Sequence, residues 1–275
     1  MANLFPDGSG AQVATRTAPL RRLNAEQADD YHRDGFLILR SVFSPPEAEE
    51  LRNEADRLLA EQAGLIDKQN LRCRFQSHHS TDECLFETFD PVIDLARVCD
   101  RTAHDPRILE VLADLYGEPA CLFKDKLIFK PPGAKGYVLH QDFIAWPGFP
   151  RSFLTVLVPI DAADAVNGCT EVFAGRHHDG PLSPEDGQFH ELPLDDFEDA
   201  RRVKLELAPG DIAIFGGFTP HRSDPNRSPH ARRQLYLSYN ALSDGGEQRE
   251  KHYAEFHAYL RDKYREYGIA ETYFR

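Results

Sequence analysis

Beyond residue 118 the chain is a succession of short apolar segments broken by proline and glycine, with no helical period between them. This pattern restricts the fold more than any other feature of the sequence. The segments are 120–130, 136–143, 153–160, 203–207, 211–215 and 232–240. Each has strand length, and strands at this density without intervening helices close into an antiparallel sandwich or barrel rather than βαβ units. Upstream the punctuation is helical. Asn24 opens a short helix that stops at Gly35, and Phe36–Phe43 follows as a strand. Ser44-Pro-Pro-Glu47 is a capping box with proline at the first helical position, and Ala48, Leu51, Ala55, Leu58 and Leu59 recur behind it at helical spacing. Asp105-Pro106 opens another helix that ends before Gly117, and 248–266 reads as a charged helix. Residues 1–22 lack periodicity and are expected to be a mobile tail. No linker divides the rest, so 23–275 reads as one domain, mainly β with flanking α-helices.

Composition narrows the partners. The formal net charge of −13 gives a nucleic acid or an anionic membrane no electrostatic support and favours a small-molecule partner. The longest apolar runs, Phe36–Leu39 and Phe153–Ile160, are far short of the ~20 residues of a membrane-spanning helix. The first ten residues do not read as a secretory signal. Five scattered cysteines without a Cys-x-x-Cys pair fit neither a disulfide framework nor a zinc ribbon, so a cytoplasmic chain with reduced thiols is expected.

Three His-x-Asp patterns occur. In His32-Arg-Asp34, a helix would point the two side chains to nearly opposite sides. His177-His-Asp179 lies in a turn-like stretch. His140-Gln-Asp142 ends a strand, Gly136–Asp142, in which alternate residues project to one side, so both donors face one ion. His221, 81 residues on, is the best third donor. Two imidazoles and a carboxylate form the facial triad of non-heme Fe(II) oxygenases; histidines satisfied by ordinary hydrogen bonds are the alternative. Arg232 follows His221 by 11 residues and shares a strand face with Gln234, Tyr236 and Ser238, while Arg233 falls on the opposite face. A guanidinium fixed on a strand is a bidentate partner for a carboxylate. The layout suits a dicarboxylate that chelates iron at one end and pairs with Arg232 at the other.

At these residues the sequence resembles the phytanoyl-CoA dioxygenase family of Fe(II)- and 2-oxoglutarate-dependent oxygenases. The resemblance is carried by Tyr31-His-Arg-Asp-Gly-Phe36, Ile128-Phe-Lys-Pro-Pro-Gly133, Leu139-His-Gln-Asp142, Asn167-Gly-Cys-Thr-Glu-Val172, Leu207-Ala-Pro-Gly-Asp211 and the spacing from His221 to Arg232. It implies a double-stranded β-helix, the jelly roll of cupins, with the metal at its open end. It also implies His140, Asp142 and His221 as iron ligands and Arg232 as the clamp for the distal carboxylate of 2-oxoglutarate. Lys126 falls where family members contact 2-oxoglutarate or substrate. The implied reaction consumes O2, releases succinate and CO2, and hydroxylates a C–H bond. Asp142 points away from halogenation, because related halogenases carry Gly or Ala there.

The substrate region is less constrained. Phe143, Trp146 and Phe149 follow the metal ligands and either wall a pocket or cover the jelly-roll mouth. In an extended conformation Arg72, Arg74, Gln76 and His78 share a face; with Lys124, Lys126 and Arg151 they would form a cationic pocket for a carboxylate, phosphonate or phosphate. A solvated charged strand is the competing reading. The expected substrate is a small polar or anionic molecule such as an amino acid derivative or aminophosphonate, with tailoring of a larger natural product as the alternative and acyl-CoA disfavoured. A jelly-roll binding protein or a cupin-like isomerase could use the same three ligands, but neither needs Arg232.

Overall fold

The computed structural model describes residues 19–144 and 148–266. Four helices precede most of the strands: α1 (Ala25–Asp34), α2 (Pro45–Glu61), α3 (Arg97–Ala103) and α4 (Pro106–Tyr116), with α5 (Arg249–Glu266) closing the described chain. The caps are those the sequence specifies. Asn24 and Gln27 form a reciprocal capping box, Ser44 and Glu47 form another, and Asp105 accepts from Arg107 N–H at 2.8 Å. Gly35 and Gly117 end α1 and α4 in the left-handed conformation that glycine adopts without a Cβ clash. Residues 19–22 depart from the expected tail. The N–H groups of Arg21 and Arg22 both donate to the buried Asp114 of α4, at 2.7 and 2.8 Å, which ties this segment to the domain. Residues 1–18 lie outside the described residues.

Eleven strands are described: β1 (Phe36–Leu39), β2 (Cys73–Ser77), β3 (Cys84–Phe89), β4 (Ala120–Ile128), β5 (Tyr137–His140), β6 (Leu154–Pro159), β7 (Thr170–Ala174), β8 (Arg201–Lys204), β9 (Ile212–Gly216), β10 (His221–Ser223) and β11 (Gln234–Ala241). They form a seven-stranded sheet, β1-β9-β6-β11-β4-β3-β2, and a four-stranded sheet, β5-β10-β7-β8, with antiparallel pairing throughout. This is the jelly roll. The first strand stops at Leu39 rather than Phe43, because Ser41 turns the chain with φ 54°. The 203–207 segment is displaced, its strand running over Arg201–Lys204.

The large sheet is covered on both faces along β6, which is why β6 is buried at every position and apolar at all but Thr155. Val156 and Val158 of β6, Ile212 and Ile214 of β9, and Leu235, Leu237 and Tyr239 of β11 pack with Leu51, Leu58, Val111 and Leu112 of the helices. The alternate residues Leu157, Ala213 and Phe215 turn to the small sheet and meet Val172, Leu205 and Leu207. The interior is therefore apolar under β9 and, apart from Thr155, under β6. Under β11 and β4 it is not: Gln234, Tyr236 and Ser238 stand opposite Ile128, Lys126 and Lys124. No helix among the described residues is long and apolar enough to cross a membrane.

Candidate metal centre and active site

His140 and His221 meet because β5 and β10 pair in a register that sets them directly opposite each other. Gly136, just ahead of β5, permits this approach, since a Cβ there would lie 2.0 Å from the Ser223 carbonyl oxygen. The two rings are 4.3 Å apart. Each imidazole is held by the carbonyl two residues before it: His140 Nδ1 is 2.8 Å from Val138 O, and His221 Nδ1 is 3.0 Å from Thr219 O. A carbonyl only accepts, so each Nδ1 carries the proton and each Nε2 presents a lone pair. Both lone pairs face Asp142 Oδ1, at 3.8 Å from each. The other carboxylate oxygen is 3.4 Å from the Thr155 hydroxyl, itself 3.1 Å from Ser238 Oγ. Asp142 lies in the bend beyond β5 rather than within a strand running to 142, so this bend, not strand alternation, aims it.

The three donor atoms lie within 4.8 Å of one another. Two imidazole lone pairs and a carboxylate oxygen repel one another across this gap unless a cation lies between them, and this donor set suits Fe(II). Burial opposes the ionisation of Asp142, but His221 and His140 outweigh it and, with Lys126 and Lys124, hold its carboxyl below the usual range. Burial and the neighbouring His221 likewise keep His140 neutral.

Arg232 precedes β11 and is 1% exposed. Its backbone N–H donates to Lys130 O at 3.2 Å, yet Nε and Nη1 have no hydrogen-bond partner among the described residues. Arg233, on the opposite face, is saturated by Asp161, with Nε at 2.7 Å, and by Asp56. A buried cation left unpaired beside a paired one fits a missing carboxylate.

A cavity of about 290 Å³ runs from the triad along the inner face of β4 and β11. Lys126 lines it with no carboxylate partner among the described residues, its ammonium 5.2 Å from the Tyr236 ring. Lys124 also lines it, paired with buried Asp90 at 3.2 Å. Phe149, like Phe123, Phe153 and Phe189, forms its apolar wall. Arg72, Arg74, Gln76, Phe143 and Arg151, also singled out from sequence, do not line this cavity. Arg72 precedes β2 and is consumed by Pro91 O at 2.7 Å and Asp94 at 2.8 Å. A bulge between Arg74 and Phe75 breaks the expected shared face. Arg74 binds the carbonyls of Leu71 and Cys73, and the Gln76 amide oxygen accepts from Ser77 N–H. Phe143 is buried against Phe218, with Arg151 stacked at 5.2 Å from the Phe143 ring and 5.4 Å from that of Phe218. Trp146 lies outside the described residues.

The helix expected over 248–266 is present as α5, but sequence reasoning missed that it lines the cavity. Lys251, His252, Glu255 and Phe256 all line the cavity, and the only hint was a His252/Phe256 stripe at i, i+4 in an otherwise charged helix. A larger depression of about 520 Å³ beside α2 and α3 is lined by Glu54 and Arg57, which satisfy each other at 2.7 Å, and it contains no convergent donor set.

A jelly roll presenting two imidazoles and a carboxylate, with an unpaired buried arginine, has the architecture of the Fe(II)- and 2-oxoglutarate-dependent dioxygenases. The sequence profile of the phytanoyl-CoA dioxygenase (PhyH) family matches residues 31–234, so the chain belongs to that family and is an enzyme of this class. It is 31% identical over 242 residues to the methylphosphonate hydroxylase of Gimesia maris, covering 85% of this chain and 86% of that one. It is 30% identical over 223 residues to a 2-aminoethylphosphonate dioxygenase from an uncultured bacterium, covering 80% and 82%. The crystal structure of EctD from S. alaskensis with bound Fe superposes with a TM-score of 0.67 at 25% identity, covering 81% and 78%. The same protein with 2-oxoglutarate and 5-hydroxyectoine gives a TM-score of 0.66 at 23% identity, covering 82% and 80%.

Proposed function

We propose that His140, Asp142 and His221 ligate Fe(II), that Arg232 grips the distal carboxylate of 2-oxoglutarate, and that the enzyme hydroxylates a small anionic molecule of the phosphonate or amino acid class. The observation that carries this reading is the buried Arg232 guanidinium without a partner. Bound iron, with 2-oxoglutarate and O2, supplies the oxidising chemistry. The chain supplies geometry. The carbonyls of Val138 and Thr219 lock both imidazoles in the Nε2-presenting tautomer, and Thr155 engages one oxygen of Asp142 so that the other is offered to the metal. The phenylalanine wall excludes water and strengthens every charge interaction inside.

Lys126 and Lys124 line the cavity and supply positive charge for a substrate anion. The cavity volume is near the lower end of the roughly 300–1,000 Å³ of drug-sized ligand sites, which favours a phosphonate over an acyl-CoA or a polycyclic natural product. Both phosphonate enzymes named above point the same way. The test is to add Fe(II) and 2-oxoglutarate anaerobically, look for a visible charge-transfer band, then screen methylphosphonate, 2-aminoethylphosphonate and related anions for stimulated succinate release in air. Absence of the band together with absence of succinate would sink the reading; a response restricted to uncharged substrates would sink its substrate half.

A further inference from the structure

Gln234 stands two residues after Arg232, on the β11 face that carries Tyr236 and Ser238 into the interior, and it is 0% exposed. Its amide oxygen accepts from the Tyr236 hydroxyl at 3.2 Å, and that hydroxyl is 3.3 Å from Thr170 Oγ1. The Thr170–Tyr236–Gln234 chain thus engages the oxygen end of the amide and leaves the nitrogen end outside the relay. Gln234 Nε2 has no acceptor among the described residues, and neither do Arg232 Nε and Nη1. A buried donor without an acceptor costs about 1–3 kcal/mol, and native interiors contain few. Three such atoms on two same-face neighbours indicate one missing group with several lone pairs.

The carboxylate of this chain closest in charge to the problem does not fill the role. Glu87 is buried within electrostatic reach of Lys130, Arg232 and Lys126, but its Oε2 is taken by the Tyr137 hydroxyl and its Oε1 has no partner. Neither Arg232 nor Gln234 hydrogen-bonds to it.

We propose that Gln234 is a positioning residue for the co-substrate, its Nε2–H donating to the same distal carboxylate that Arg232 grips. The inference rests on the reading of Arg232 given above and deepens it, because it makes the pocket selective for 2-oxo dicarboxylates over 2-oxo monocarboxylates by two residues rather than one. It also sets apart two properties that a purely structural glutamine would keep together. A leucine at 234 fills similar space and removes an unsatisfied donor, so the protein without co-substrate is expected to be as stable as before or more so, while its affinity for the dicarboxylate falls.

The experiment uses the Fe(II)-loaded protein under anaerobic conditions. The charge-transfer band is titrated with 2-oxoglutarate and with 2-oxobutyrate, which keeps the chelating end and lacks the distal carboxylate. Urea midpoints are measured without either acid. For Gln234→Leu the expected result is a Kd for 2-oxoglutarate raised about tenfold, the loss of one hydrogen bond to a charged group, with 2-oxobutyrate unaffected and the urea midpoint unchanged or higher. Gln234→Glu, nearly isosteric, should raise the Kd further by placing like charge beside the carboxylate; if the leucine variant does not fold, the same ratio in the glutamate variant decides. Equal weakening of both acids, or an unaltered 2-oxoglutarate Kd, overturns the proposal. If the wild type itself binds both acids equally well, the Arg232 reading fails and takes this one with it; a wild-type preference untouched by substitutions at 234 removes Gln234 alone.

Discussion

At the scale of single residues, the site is defined by which polar atoms have partners. Both Nδ1–H groups of the metal-facing histidines are bonded, both Nε2 lone pairs are not, and the guanidinium of Arg232 is left open where that of Arg233 is saturated. His140→Ala removes one of the three proposed ligands and is expected to abolish stoichiometric Fe(II) binding, read by metal titration. Arg232→Leu should leave iron affinity in place and raise the 2-oxoglutarate Kd about a hundredfold or more, because a buried charge-assisted pair is lost whole. Comparable losses of iron in both variants would contradict this division of labour. Thr155→Val tests the support behind the ligand. Its hydroxyl is a long 3.4 Å from Asp142, so the expected loss of iron affinity is about tenfold, the low end of what such supporting residues contribute.

At the scale of elements, α5 joins the fold to the substrate end of the cavity. It docks through the Tyr253 hydroxyl, which is 3.0 Å from Asp90 and 2.7 Å from Asp125 O and accepts from Asp125 N–H at 3.0 Å. Burial opposes ionisation of Asp90, but Lys124, Arg74 and Lys126 outweigh it and bring its pKa down to about 2. Tyr253→Phe leaves these buried groups short of a partner and should cost about 1–3 kcal/mol in urea unfolding while the charge-transfer band persists. Lys251→Gln, on a side chain 65% exposed, should raise KM for an anionic substrate about threefold and leave the 2-oxoglutarate Kd alone, since a solvated charge contributes little. An unchanged KM would place Lys251 outside substrate recognition. The helices, the sandwich and the triad were legible in the sequence because caps, turn residues and a His-x-Asp at a strand end each have a local physical cause. The cationic role expected of Arg72 was not, because only the tertiary structure reveals that Asp94 and a backbone carbonyl occupy it. The contribution of α5 was hidden for a similar reason: the packing of a charged helix on β4 is set by Tyr253, Asp90 and Asp125, which lie far apart in the chain.

At the scale of the whole molecule, the net charge of −13 describes the surface and misdescribes the interior, where Lys124, Lys126 and Arg232 gather on one side of the jelly roll. Two effects of opposite sign follow as pH falls from 7 to 5. Protonation reduces the net charge, which relieves self-repulsion and favours the compact state. Against it stand partly or fully buried histidines held neutral away from the proposed metal site. Burial and Lys124 lower His252 to about 3, burial and Arg74 lower His257 to about 4, and burial and His178 lower His177 to about 4. In the unfolded chain these groups titrate near 6.5, so between roughly pH 6.5 and 4 the unfolded state binds more protons and stability is lost as pH falls, by at most about 1.4 kcal/mol per pH unit for each histidine. Above pH 6.5 this contribution is fully present. The repulsion effect is screened by salt and the proton-linkage effect of buried groups much less so, so the two separate in 0.5 M salt, where screening reaches only about 4–5 Å. The urea midpoint is expected to fall from pH 7 to 5 under those conditions. His252→Phe, which keeps the ring contacts with Phe123 and Phe256, should make the fall shallower. A midpoint that stays level, or a slope unaffected by His252→Phe, would show that these histidines accept protons in the folded state and that the substrate end of α5 is wetter than its packing implies.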